Sequence, residues 1–414
     1  FYGNASGGVI QLNTLEDFKD NFVRLRLQSG SYSSKNLAAT VGWKKNKTKA
    51  VFYQNLTQSE GYRNHSKFKQ QVFNARLWHD FSDRSKILWQ FNYTHSPYAY
   101  DAGGINLAAV EENREQARPQ NETYQTYETV DHLKTGLQWE KQISDKLLWD
   151  TYAFYAHRDF VGRLPFAYGG YVDLKRNYYG LGSALEFEPQ SNHRMQLRFS
   201  LADQKDHRQR FQNLNGNPGD NTLDQEELFF NTAFSFLDEI KWGFGLLRLG
   251  LRYDHQRLGT QRQSDQVKLN SFNPSLGFTY TQRGRHVMFV SYSSSFETPT
   301  LNELSANPSG NDGFNTDLSP SKAHNLEWGW RHITSQNTLE ATLYAINTQN
   351  EILPYELEAF PDRDFYRNAG NTSRMGIELF WQHQKGSWEW TVAYHYASIK
   401  FDDYVLKDKN LSGN

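Results

Sequence analysis

Apolar and polar residues alternate one by one along much of this chain, the spacing of a strand with two unlike faces. In Val23-Arg24-Leu25-Arg26-Leu27 the aliphatic residues take the odd positions. Leu197, Phe199 and Leu201 alternate with Gln196, Arg198 and Ser200, and Leu247, Leu249, Leu251 and Tyr253 with Arg248, Gly250, Arg252 and Asp254. Met375, Ile377, Leu379 and Trp381 alternate with Arg374, Gly376 and Glu378 in the same way. The pattern predicts strands over 21–30, 36–44, 49–58, 70–80, 85–96, 127–141, 146–160, 173–188, 193–206, 225–238, 245–258, 268–282, 286–297, 322–333, 337–349, 373–384 and 387–400, about seventeen in all. Many of these runs exceed the roughly five or six residues usual for a strand of a compact soluble domain.

The connections fall into two kinds. Residues 45–48, 81–84, 142–145, 189–192, 282–285, 334–336 and 385–386 read as tight turns, while 59–69, 97–126, 161–172, 207–224, 298–321 and 350–372 read as long links. Short and long alternate, which gathers the turns at one end of an antiparallel up-and-down β-barrel and the loops at the other. Outer-membrane barrels have this asymmetry, with short periplasmic turns and long external loops. A large soluble all-β protein such as a propeller or β-helix would need a fixed-period repeat, and none is visible.

Composition agrees. Aromatic residues make up 15% of the 414 residues but hydrophobic residues only 37%, and mean hydropathy is −0.79. A transmembrane barrel is half polar by construction and rich in interfacial aromatics. Lys+Arg number 45 against Asp+Glu 46, with no basic stripe, which argues against a nucleic-acid surface. Without a single cysteine there are no disulfides, thiolate metal sites or cysteine nucleophiles. No stretch approaches the roughly 18 apolar residues of a membrane helix; residues 242–251 come nearest and contain Arg248.

Catalytic patterns are absent: there is no H-E-x-x-H, P-loop or G-x-S-x-G. His79-Asp80, Asp206-His207 and Asp254-His255 sit at or near predicted strand ends, where solvated polar pairs are expected. The run from Asn213 to Asp224 distantly resembles a calcium loop but lacks its ligand order, and reads as a flexible loop. The sequons at Asn55 and Asn92 fall in predicted strands and need no glycan. The sequence therefore points to a non-enzyme without a cofactor or a metal site.

Three stretches carry a family resemblance. Tyr2-Gly3, Ala5 and Gly7-Gly8-Val9-Ile10 resemble the segment that ends the plug domain of TonB-dependent outer-membrane receptors. Phe296-Glu-Thr-Pro299-Thr300-Leu-Asn-Glu303-Leu304, with Asp317-Leu-Ser-Pro320 and Asn325-Leu-Glu-Trp-Gly329, is similar to the family's "F-x-x-P-T…E-L…L-x-P-E…E-x-G" segment. Ser321, with Lys322 next, stands where the family usually has Glu. Tyr366-Arg-Asn-Ala-Gly370 followed by Gly376-Ile-Glu378 resembles "N-A-G…G-x-E".

The resemblance implies a barrel of about 22 strands around a plug. On that reading residues 1–14 are the C-terminal end of the plug domain, with Tyr2, Gly3, Gly7 and Gly8 as its motif, and 15–414 are the barrel. The rest of the plug, with its TonB box, would precede Phe1, and about five strands would follow Asn414. An odd strand count leaves the first and last strands as open edges. The implied partners are TonB with its inner-membrane energising complex, a ferric chelate ligand and outer-membrane lipids; the implied function is active import, with a ferric siderophore as first choice. Haem, cobalamin or glycan import, a passive porin and an outer-membrane enzyme are the alternatives.

Ligand capture would fall to the outward loops. Tyr98, Tyr100, Arg114, Arg118, Tyr124 and Tyr127 belong to one loop and its borders, and Arg163, Phe166, Tyr168 and Tyr171 to the next. Aromatic faces with guanidinium groups suit a rigid, anionic, partly aromatic ligand such as a ferric chelate; packing within the loops, or anchoring among lipid headgroups, is the alternative use. On the polar strand faces Arg24, Arg26, Arg198, Arg248, Arg252, Arg331, Glu327 and Glu378 are candidates either for gripping a plug or for a hydrated wall.

Overall fold

A computed structural model describes residues 18–262, 265–282, 284–310 and 313–404. The N-terminal glycine motif of residues 2–8 lies outside them. A 17-stranded antiparallel sheet dominates the described part. It begins with β1 (Phe22–Gly30), β2 (Ser34–Lys45), β3 (Thr48–Ser59), β4 (Phe68–Ser82) and β5 (Ser85–Tyr100). After α1 (Leu107–Asn113) and α2 (Pro119–Thr123) come β6 (Tyr127–Ser144), β7 (Leu147–Arg163), β8 (Tyr171–Gln190), β9 (His193–Leu214) and β10 (Asn217–Trp242). β11 (Gly245–Thr260), β12 (Val267–Gln282) and β13 (His286–Glu297) lead to α3 (Leu301–Ser305), then β14 (Ser321–Ile333) and β15 (Asn337–Gln349). A separate hairpin of β16 (Ile352–Leu357) and β17 (Phe360–Asn368) precedes β18 (Gly370–Lys385) and β19 (Trp388–Tyr404).

Each barrel strand registers with its neighbour in sequence, β15 passing directly to β18. Among the described residues no register joins β1 to β19. The expected alternation of connections is present, with two differences. The predicted link at 207–224 is strand: β9 and β10 run on as a hairpin that turns at Asn215 (φ 51°) and Gly216 (φ 93°). Both turn residues occupy the left-handed region that an Asn-Gly hairpin turn requires. Asn213, which the sequence places in a flexible loop, is buried and accepts from the Gly216 N–H at 2.7 Å. The second difference is the β16–β17 hairpin inside the link at 350–372.

The two faces of the sheet invert the arrangement of a soluble protein. On one face Leu197 is 55% and Phe272 62% exposed, while on the other Glu227 and Asp254 are 0% and 1% exposed. An apolar face bare to its surroundings and charges sealed within are what a barrel in lipid requires. Near the tight turns the outer face carries tryptophans whose indole N–H groups are satisfied locally: Trp89 donates to Thr135, Trp139 to Ser85 and Trp149 to Ser183, at 2.8–3.0 Å. These form the inner interfacial belt. Toward the loops the band ends in a repeated device. Tyr93 and His95 both bond Asp131, Tyr155 and His157 both bond Asn177, and Tyr253 and His255 both bond Asn270, all at 2.7–2.9 Å.

On the inner face aromatic rings lie flat across glycines directly opposite on the next strand. Tyr152 faces Gly182, Phe154 faces Gly180, Phe289 faces Gly329 and Tyr344 faces Gly376. A Cβ at Gly329 would collide with the Phe289 ring. Such pairs fill the space a glycine leaves and pin the register. We predict that Gly329→Ala, by forcing Phe289 off its seat, lowers barrel stability by about 1–3 kcal/mol. The control is Gly277→Ala, whose Cβ would meet only the Arg248 Cβ at 3.8 Å. Urea midpoints of the purified barrel should fall for the first and stay within error for the second.

Candidate functional site

The mouth is built around the β13–β14 loop, which folds inward instead of standing out. Its first turn is set by sequence: Thr300 caps α3, its hydroxyl accepting from the Glu303 N–H at 3.2 Å while the Glu303 carboxylate accepts from the Thr300 N–H at 2.7 Å. This reciprocal box turns Leu301 and Leu304 onto one side of a single helical turn. There they join Phe314 and Leu318 against Leu258, with Phe229, Leu269 and Tyr366 at the border. Leu258, Phe229 and Leu269 alternate with the outward residues of β11, β10 and β12, so this apolar core sits on the inner face.

A buried charge pair anchors the loop beside that core. Arg208 of β9 holds Glu227 of β10 through two guanidinium bonds of 2.7 and 3.1 Å, with the side chains 6% and 0% exposed. Glu227 also accepts from Ser305 of α3 and from Gln225, at 2.8 Å for the latter, and Gln225 accepts from the Gly313 N–H at 3.3 Å. Every partner of the carboxylate is a donor, which is what keeps a buried charge tolerable.

The third motif converges on the same place. The Asn368 side chain accepts from the Ser319 N–H at 2.8 Å and donates to the Ser319 C=O at 2.9 Å, locking the β16–β17 hairpin to the β13–β14 loop. Asn315 donates to the Tyr366 C=O, and Ala369 is fully buried. Two segments that the sequence singles out for resemblance are thus halves of one packed unit.

The ten ligand-contact candidates are divided by the fold. Tyr100 contacts Tyr98, Tyr127 and His65, and Lys67 lies over both Tyr98 and Tyr100. The Arg163 guanidinium stacks 4.2 Å from the Tyr127 ring and 5.8 Å from Tyr171, whose own ring meets Phe211. Residues 127, 163, 171 and 211 are register partners in one row. By alternation that row shares the outer face with Tyr155 and Leu201. Burial of Tyr171, with Tyr127 nearby, raises its phenol above the usual range. Arg114 is exposed at the end of α1, Arg118 and Tyr124 bracket α2, and Phe166 makes no ring contact among the described residues. Tyr168 reaches Phe360 of the β16–β17 hairpin, 6.2 Å between ring centres.

Side chains outside those ten candidates tie these loops together. Arg63 spends its guanidinium on the carbonyls of Ala102, Gly103 and Gln116, at 2.6–3.3 Å, and the Asn213 amide donates to those of Tyr124 and Leu164. Beneath Gly169, Arg210 keeps a buried Nε without a partner, and burial with Arg208 and Arg363 nearby pushes the guanidinium down to about 9. On the wall, Arg248 pairs with Glu239, Arg252 with Asp254 and Arg331 with Glu340, at 2.5–2.8 Å. Arg198 donates to Gln196, Glu327 accepts from Asn325, and Arg24 lies over Phe22. Arg26 and Glu378 share the inner face with them.

Removing one partner of a buried pair costs about 3–5 kcal/mol. Glu227→Ala is therefore expected to raise amide exchange across residues 298–320 about a hundredfold or more, since each 1.4 kcal/mol is roughly tenfold. Exchange in β3–β6 should not change, and hydrogen–deuterium exchange with mass spectrometry reads both.

Known proteins share this architecture. The family model "TonB dependent receptor-like, beta-barrel" matches residues 11–414. The unliganded ferric citrate transporter FecA superposes with a TM-score of 0.74 at 18% identity, over 92% of this chain and 59% of that one. The copper transporter OprC gives 0.75 at 14% identity, over 94% and 63%. The siderophore receptor PiuA from Acinetobacter baumannii gives 0.70 at 15%, over 93% and 65%. The chain thus spans about three-fifths of the length of these structures, and at such identities the likeness is one of fold. With the family model covering all but its first residues, the chain belongs to the TonB-dependent receptors, a family of outer-membrane β-barrel receptors and transporters.

Proposed function

We propose that this chain is the barrel of an importer that takes up a scarce nutrient across the outer membrane, a ferric siderophore or similar iron chelate, with energy supplied through TonB. Family membership supports the transport class, and the observation that carries the reading is the inward-folded β13–β14 loop, which narrows the mouth above the lumen. The siderophore and ferric citrate transporters among its structural relatives favour iron, and the guanidinium and aromatic side chains of the mouth suit an anionic chelate.

On this reading residues 1–14 end a plug domain and 15–414 form the barrel in outer-membrane lipid. Tyr98, Tyr100, Arg114, Arg118, Tyr124, Phe166 and Tyr168 offer first contact at the loops. Tyr127, Arg163 and Tyr171 hold the loop bases in place. The covalent chemistry of the cargo is untouched, because the task is capture and passage.

The test is uptake of radiolabelled iron by iron-starved cells expressing the full-length receptor. Accumulation of the cognate chelate should fall to background in a host lacking TonB, while binding to the cell surface persists. Uptake that continues without TonB would make the protein a passive pore, and transport of haem, cobalamin, copper or a glycan in place of every iron chelate would replace the cargo.

A further inference from the structure

Two arginines brought together by the loops have no counter-charge of their own. Arg210 of β9 projects from the inner face two residues beyond Arg208, with Val172 and Leu223 as its register partners. Its Nε is buried without a partner, and it has no hydrogen bond or ion pair among the described residues. Arg363 of β17 has a buried, unpartnered Nε as well, and its guanidinium lies over the rings of Phe360 and Phe365 at 5.5 and 4.9 Å. The two charges act on each other.

The carboxylate that acts on Arg210 is already committed. Glu227 accepts from Arg208, Gln225 and Ser305. On the hairpin, alternation turns Asp364 and its register partner Glu356 away from the face that carries Arg363 and Phe365; both acids are exposed, whereas Phe365 is fully buried. Although burial holds Arg210 down, at about 9 it keeps its charge at neutral pH. A buried cation without a partner is costly, so an anion that reaches it is bound.

A third donor is aimed at the same spot. Between the pairs Asn221–Phe211 and Leu223–Arg210 the register shifts, leaving Thr222 as an extra residue in β10. Such a bulge re-aims its side chain. The Thr222 hydroxyl is buried without a partner, and a Cβ placed on Gly169 would meet it at 3.4 Å and the Arg210 Cδ at 3.7 Å, so both lie under the turn of the 164–170 loop. The base of the β16–β17 hairpin is locked through Asn368, whereas at its far end Phe360 meets that loop through Tyr168.

We propose that Arg210, Arg363 and Thr222 form a site for a compact oxyanion, a carboxylate or phosphate group that is free in solution or borne by a larger ligand, and that the bound anion fastens the far end of the hairpin to β9 and β10. Guanidinium forks match the paired oxygens of such groups, and the threonine donates its hydroxyl. The site does not depend on the importer reading, since a passive barrel could carry the same clasp.

The test uses the full-length receptor purified in detergent and chloride buffer, with inorganic phosphate or ferric citrate added at constant ionic strength. Calorimetry gives the dissociation constant. At about ten times that concentration, binding to the closed mouth slows its opening about tenfold. Hydrogen–deuterium exchange at residues 164–170 and 363–368 should fall by that factor, with β3–β6 unchanged. Arg210→Gln and Arg363→Gln should each weaken binding about tenfold or more, while Arg257→Gln, on the outer face over the Phe230 ring, should leave it as it is. A site kept for a free ion answers phosphate, and one that reads a chelate answers ferric citrate at lower concentration; either response supports the clasp.

In chloride alone Arg210→Gln should leave the thermal midpoint unchanged or raised, because it removes a charge that nothing answers. A lowered midpoint, showing that another part of the receptor already pairs with Arg210, would overturn the proposal. So would silence toward both anions, or binding that survives both arginine substitutions.

Discussion

Inside lipid no water is available to a backbone amide, so each N–H and C=O of this chain must find its partner across a strand boundary. Between β1 and β19 the ladder meets that demand along every boundary the barrel strands share, and most other features of the molecule descend from it. Strand geometry gives every residue one of two faces, so the chain must be apolar at one parity and is free at the other. The free parity is where polar chemistry collects: arginines paired with carboxylates, as Arg208 with Glu227 and Arg252 with Asp254, and flat rings where glycines permit them.

Above the membrane the constraint lapses and different physics organises the chain. Loops of this length have to be ordered by their own contacts, and here that is done with few residues. One capping box aims two leucines, one carboxylate gathers four donors, and one guanidinium satisfies three carbonyls. The pairing of Arg208 with Glu227 is the junction, because strands, helix and loop all reach it.

Much of the fold was legible because the membrane imposes a strict period of two. Strand existence followed from that period wherever one face touched lipid, as in residues 197–201 or 247–253. It failed at 207–224, where polar residues such as His207, Arg208, Gln209 and Arg210 take both parities, so that alternation fades; Asn215-Gly216 was the remaining hairpin signal. The site was legible in another way. Thr300, Glu303, Leu304 and Asn368 were marked by resemblance alone, and the structure supplies their physical roles as cap, core and clamp. The row of Tyr127, Arg163 and Tyr171 was chosen on chemistry without knowledge of parity, and parity puts it on the outer face. Arg63 and Arg210 carried no sequence signal, and Asn213 stood only at the head of a run read as a flexible loop, since their importance lies in which carbonyls or charges the topology brings near them.

The recurring Tyr-x-His pairs at the outer edge of the apolar band set a rule for the rim. In each, a single side-chain oxygen accepts from both the phenol and the imidazole Nδ1, most plainly at Asp131. Each acceptor thereby ties two rings of one strand to the next strand at a single height, so the upper edge of the apolar band is set across β5–β6, β7–β8 and β11–β12 by side chains as well as by the backbone ladder.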